Sequence, residues 1–273
     1  MPLIDFDSRF ASYLNAWVEK NRKRFPRPEQ MEDEVEAVYL KFLNTPASWL
    51  NGTRPGDYFD RYGDATELCT LLGAYIREDV PVPDPLLGRL LDLGDEDALL
   101  ALIRDREATC AARMHGIDLL RQMESSAPMV DYIRWQAERD EAEELLDNAL
   151  ESLRAMGDKM RKPAKVAFLA AGQEGKEALL DVLCEFPGDD DVFAFALNCF
   201  QSQPQKRGLF AGYLAKLDDD RALEELFEAA ESDDIDYIDF IEVRSAIERL
   251  GGEAPVRDFS KDPAYKAVRR RFT

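Results

Sequence analysis

The chain has 273 residues, 45% hydrophobic and 33% charged, which is enough apolar matter for one extended domain or two compact ones and too much for a disordered chain. Asp and Glu total 55 against 35 Lys and Arg, a formal charge of -20. Duplex nucleic acid is itself densely negative and repels such a chain unless the few cations cluster, so the balance favours solubility or a protein partner with a basic surface.

The opening residues, Met1-Pro2-Leu3-Ile4-Asp5-Phe6-Asp7, lack the basic and apolar regions of a signal peptide. The apolar spacing predicts helices over about 6–24 and 28–44. Asn21-Arg22-Lys23-Arg24 ends the first with positive charge, which complements a helix C-terminus. The stretch from Thr45 to Phe59 carries aromatic anchors and helix breakers, and reads as an ordered loop entering a short helix after Pro55. Residues 1–63 are expected to form a helical N-terminal cap, with a separate peptide-binding module as the alternative.

From residue 64 onward, helix-stop signals recur at a near-constant step. Apolar helix ends fall at Leu93, Met123, Met156, Phe186, Leu217 and Leu250, with steps of 30, 33, 30, 31 and 33 residues. Gly94, Glu124, Gly157, Pro187-Gly188, Asp218 and Gly251 follow them; Gly suits a left-handed cap and Pro cannot continue a helix. Three residues before each end stand Leu90, Leu120, Leu153, Leu183, Leu214 and Ile247. Seven before stand Leu86, Gly116, Ala149, Leu179, Phe210 and Val243, none of them polar. Six before, five are apolar and the sixth is Arg244. Positions three, six and seven back share one helical face, so each unit ends with a helix burying an equivalent stripe.

Each of these helices has a predecessor. First helices are expected over about 64–77, 96–105, 127–136, 159–171, 190–201 and 220–231, and second helices over about 84–93, 107–123, 138–156, 175–186, 204–217 and 236–250. Asp64, Asp95, Asp190 and Asp219 stand near helix starts, where a carboxylate accepts backbone N–H bonds. A pair of ~30 residues is too thin to bury both its faces, so neighbours must stack. After residue 252 the tail, 253–273, holds Pro255 and the basic run Lys266 to Arg271, which either folds over the last pair or stays loose.

Helix pairs at this period resemble HEAT and lyase-type HEAT-like repeats. The best local matches are Leu93-Gly94-Asp95-Glu96-Asp97-Ala98-Leu99-Leu100-Ala101-Leu102-Ile103 and Asp219-Asp220-Arg221-Ala222-Leu223-Glu224-Glu225-Leu226-Phe227. Such repeats often carry a basic residue early in the second helix; Arg113, Lys176 and Arg207 fill that place here, and Leu146 and Phe240 break the pattern. The resemblance implies an all-α fold, a right-handed α-solenoid of about six HEAT-like helical hairpins over 64–252 behind the helical N-terminal cap. It says little of function.

The four cysteines, Cys69, Cys110, Cys184 and Cys199, form no CxxC pair and lie in apolar stretches, so reduced core thiols and a reducing, cytoplasmic setting are expected. No run of ~18 apolar residues predicts a membrane span. The single histidine, His115, has no HExxH or other dense ligand set around it, and Cys110 five residues away shares no helical face with it. No GxxxxGK[ST], GxGxxG or GxSxG motif occurs. The acidic clusters Asp189-Asp190-Asp191, Asp218-Asp219-Asp220 and Asp233-Asp234 with Asp236 do not fit an EF-hand and sit where helices begin. No catalytic residue, metal site or cofactor is expected.

The expected function is therefore a non-catalytic protein–protein interaction scaffold using the face lined by second helices. Exposed candidates there are Arg113, Glu144, Asp147, Lys206, Arg207 and Asp239. The alternatives are an enzyme of the HEAT-like lyase or DNA-glycosylase type, against which the charge argues for DNA, and a nucleic-acid adaptor acting through Asn21–Arg24 and Arg269–Arg271.

Overall fold

A computed structural model of the protein describes residues 3–22, 25 and 29–271. Among them every regular element is a helix and no strand occurs. The N-terminal region holds α1 (Phe6–Asn21), α2 (Glu29–Glu32) and α3 (Val35–Leu43), then 3-10 turns at Ser48–Leu50 and Pro55–Asp57. Then come α4 (Ala65–Arg77), α5 (Asp84–Leu93), α6 (Glu96–Arg104), α7 (Cys110–Gln122), α8 (Met129–Glu138) and α9 (Glu143–Met156). The remainder is α10 (Asp158–Ala170), α11 (Gln173–Leu183), α12 (Asp190–Ser202), α13 (Arg207–Leu217), α14 (Leu223–Glu231), α15 (Tyr237–Arg249) and α16 (Pro263–Arg271).

The helices from α4 to α15 fall where first and second members of six pairs are expected. The punctuation after each second helix is left-handed: Gly94, Glu124, Gly157, Gly188, Asp218 and Gly251 all have positive φ. Glu124 and Asp218 do this with a side chain, at a cost of roughly 1–2 kcal/mol each that surrounding structure offsets. The apolar stripe is also explained. Every residue three before a helix end and every residue seven before is buried. The position six before varies: Ile117, Leu180 and Ala211 are buried, Leu87 and Leu150 are half-buried, and Arg244 is exposed and paired with Glu248 at 2.7 Å.

Acidic residues start the helices. Asp64 accepts from Thr66 N, Asp95 from Ala98 N, Asp189 from Asp191 N and Val192 N, Asp219 from Arg221 N and Asp236 from Asp239 N. Each such cap contributes about 1 kcal/mol. Asp189, rather than the expected Asp190, caps α12, because its side chain reaches the two free N–H groups that follow it.

The chain divides into two compact units, 1–129 with 141–156, and 130–140 with 157–273. The third expected pair is split between them, with α9 in the first unit and nearly all of α8 in the second. In the first unit the N-terminal region rests on α4 and α5. Phe6 packs edge-on to Trp49 and Tyr58 at 5.7 and 5.5 Å, and Tyr75 Oη donates to Ile4 O at 3.1 Å. Arg89 donates twice to Tyr62 O, at 3.1 and 3.0 Å, and Tyr39 Oη donates to Asp84 at 2.8 Å. The single helix expected over 28–44 is broken between α2 and α3, where Glu32, Asp33, Glu34 and Glu36 crowd like charges at helical spacing. Lys23 and Arg24, and the side chain of Arg271, lie outside the described residues.

In the second unit the tail folds back over the last pair. Arg257 donates to Ala230 O at 2.8 Å, Phe259 packs against Tyr237 and Phe240, and Tyr237 N donates to Asp262. No described helix is long and apolar enough to cross a membrane.

Candidate interaction face

α7 and α9 pack side by side in the first unit, and their solvent sides leave an open groove of about 630 Å³. Its floor is Asn148, only 9% exposed because it sits one residue before Ala149 in the buried stripe of α9. An amide at a core-facing register must find partners or lose a few kcal/mol. It finds them on α7: Asn148 Nδ2 donates to Asp118 Oδ1 at 3.0 Å, and Arg121 donates to Asn148 Oδ1 at 3.0 Å. Arg121 also pairs with Asp118 at 2.7 Å and with Glu151 at 3.1 Å. Glu144 and Asp147 line the same groove, both exposed, and neither side chain has a hydrogen bond or ion pair among the described residues. The groove thus sets the carboxylates Asp118, Glu144, Asp147 and Glu151 against Arg121 and Arg154. Its surplus charge is negative and sits at the solvent edge.

The other expected face residues have structural partners instead. Arg113 is buried, contrary to expectation: its Nε donates to Ile103 O at 2.8 Å and it pairs with Glu141 at 2.7 Å, both side chains 6% exposed. A guanidinium ten residues before the helix end faces inward here, because the loop before α9 brings a carboxylate down to meet it. Lys206 is exposed but pairs with Glu177 at 2.7 Å. Asp239 is half-buried and accepts from Gly208 N at 3.2 Å, tying α15 to the start of α13. Arg207 is half-buried, and its Nε is buried without a hydrogen-bond partner. Of the six, only Glu144 and Asp147 share one face as free charges.

Glu177 belongs to a polar junction in the second unit. Partial burial opposes its ionisation, but hydrogen bonds from Lys206, Gln203 and Gln173 outweigh that and hold its carboxyl below the usual range. Asp181 on α11 and Glu185 in the turn after it are answered from α13: Tyr213 Oη donates to Asp181 at 2.9 Å, and Lys216 pairs with Glu185 at 2.6 Å.

His115 is half-buried on α7. Cys69, Cys184 and Cys199 are buried free thiols, and burial pushes Cys69 up to about 11 and Cys184 up to about 12. Cys110 departs from the expected core placement: it is half-exposed, because it occupies the first residue of α7 after the Thr109 cap. The described residues contain no cluster of three or more His, Cys, Asp or Glu groups able to hold a metal ion.

The Asp118–Arg121–Asn148 network was not singled out from sequence. Its signal is an asparagine inside an apolar stripe, facing an Asp and Arg spaced three apart on the preceding second helix. Comparison with family models, with curated proteins and with solved structures gives no match for this chain.

Proposed function

We propose that the paired helices are HEAT-like repeats of a solenoid and that the protein is a non-catalytic interaction scaffold, binding a partner with a basic surface along its second helices. The observation that carries this reading is the pair Glu144 and Asp147, exposed and unpaired above a groove whose floor is already satisfied. A part-buried polar network holds its side chains in one arrangement, and exposed carboxylates above it attract cations at range. The Asp118–Arg121–Asn148 floor supplies the rigidity, and the rim supplies the charge.

The test is charge reversal. A partner captured by the full chain should bind saturably and lose at least about tenfold in affinity with Glu144→Lys plus Asp147→Lys, a loss that shrinks as salt rises. Reversing exposed carboxylates Glu224 and Glu228 on the first helix α14 should leave the affinity unchanged. Equal losses from both pairs, or none from the first, would refute the reading.

A further inference from the structure

The acidic groove leaves a different surface of the second unit unexplained. α8 and α10 enclose a trough of about 580 Å³, and its apolar lining residues follow one rule on each helix. They include Val130, Ile133 and Ala137 on α8 and Pro163, Val166 and Ala170 on α10, at steps of three and four, and the ion-paired Arg134 and Glu138 border the α8 side. One continuous face of each helix over about two turns borders the trough, roughly 11 Å of length at 1.5 Å per residue. Val130 and Val166 are each 71% exposed. Exposed aliphatic side chains that share one apolar trough are the kind of surface used for interaction.

The trough is pre-formed. Gly175 at the start of α11 lies so close to the end of α8 that a Cβ there would come within 2.1 Å of Ala137 O. Backbone packed on backbone leaves little room for the trough to collapse. Its walls are small where a partner's backbone must approach, at Ala137, Ala167 and Ala170.

The charge beside the trough runs against the rest of the molecule. Across α10 lies a second depression of about 490 Å³, which shares Val166 and is lined by Arg161, Lys162 and Lys165. α10 carries Lys159, Arg161, Lys162 and Lys165 against the single acid Asp158, in a chain of net charge -20. The nearby acids are already engaged: Glu138 pairs with Arg134 at 2.8 Å, and Asp189 and Asp191 pair with Lys165. Lys159, Arg161 and Lys162 have no acidic partner among the described residues, and both lysines are exposed.

We propose that the troughs flanking α10 are a docking site for an amphipathic acidic helix of a partner protein. Its aliphatic side chains, at i, i+3 or i+4, and i+7, fill the Val130–Val166 trough. Its carboxylates reach Lys159, Arg161 and Lys162. This is helix-in-groove recognition, in which apolar anchors give affinity and charge gives orientation. The proposal rests on a different face from the acidic groove and stands without it.

The full chain is panned against a displayed library of helical peptides, and selected sequences are resynthesised for fluorescence polarisation. Acid-rich sequences with aliphatic residues at the stated spacing should be enriched. Val166→Glu and, separately, Val130→Glu should weaken them at least about tenfold while leaving the thermal midpoint of the free protein unchanged, since both side chains face solvent. Lys159→Glu with Lys162→Glu should weaken them and flatten the salt dependence. Enrichment of neutral or basic peptides, no enrichment, or binding indifferent to Val166→Glu would each overturn the proposal. So would concentration-dependent self-association, seen by sedimentation and abolished by Val166→Glu, which would make a second copy of the chain the occupant.

Discussion

Glu177 and Asp181 stand one turn apart on α11 and Glu185 lies in the turn after it, and each is met from the following second helix or the turn before that helix, by Lys206, Tyr213 and Lys216. On α9, Glu144 and Asp147 stand at the matching end of a second helix, and no side chain among the described residues answers them. The two surfaces descend from the same helix-pair spacing and use carboxylates for different ends. In the second unit the acids join one helix to the next. In the first unit that joining falls to the buried Arg113–Glu141 pair, to Asn148 and to the Arg121–Glu151 pair, and Glu144 and Asp147 are released from it. A repeated period fixes where helices lie and leaves open which polar groups the packing consumes.

The contrast can be broken most strongly at Glu141. Its removal as Glu141→Ala strands the Arg113 charge in a buried site, with an expected loss of about 3–5 kcal/mol in urea unfolding, whereas Arg113→Met with Glu141→Leu should recover most of it. Next is Gly175→Ala in the second unit. Alanine favours a helix by about 1 kcal/mol, but its methyl would meet the Ala137 carbonyl, which is backbone and cannot swing aside. The net expectation is a loss of roughly 1–3 kcal/mol in the same assay.

Glu177 comes third. Glu177→Ala removes hydrogen bonds from three partners, and the expected cost is about 1–2 kcal/mol at neutral pH. Because its folded carboxyl titrates below the unfolded one, its contribution is fully present above the ordinary carboxylate range and disappears as pH falls through the depressed folded value. Wild type and variant should therefore converge in stability on acidification, as urea midpoints measured from pH 7 downward would show. The smallest effect belongs to the unanswered acids. Glu144→Gln with Asp147→Asn should change stability by no more than about 0.5 kcal/mol. A clear destabilisation there would mean that these carboxylates are structural after all, and the distinction between the two faces would fall.

Helix placement was legible in the chain because two periodic signals coincide: the residues that stop helices and the apolar positions three and seven before them. Both are local, and both are enforced by hard constraints, a left-handed backbone at Gly94 or Gly251 and an apolar contact at Leu120 or Leu214. The surface was much less legible. Arg113 is a polar residue on an amphipathic helix, and its register does not reveal that a carboxylate 28 residues later descends to meet it. Asn148 adjoins the predicted stripe residue Ala149, but nothing local in the sequence shows that Asp118 and Arg121 on another helix meet it. The division of the third pair also left no mark, since it depends on which neighbours each helix packs against.

That division has a practical consequence. The backbone leaves the first unit after residue 129, returns at 141 and leaves again after 156, so neither unit is a single stretch of polypeptide. A protease nick or a gene truncation at any one peptide bond cannot release the two as intact halves. A fragment ending at 129 would lack α9 and expose the α7 surface that α9 covers, and one beginning at 157 would lack the helix that walls the Val166 trough. Whoever dissects this protein will have to substitute side chains in the whole chain, or permute its ends, to study either half.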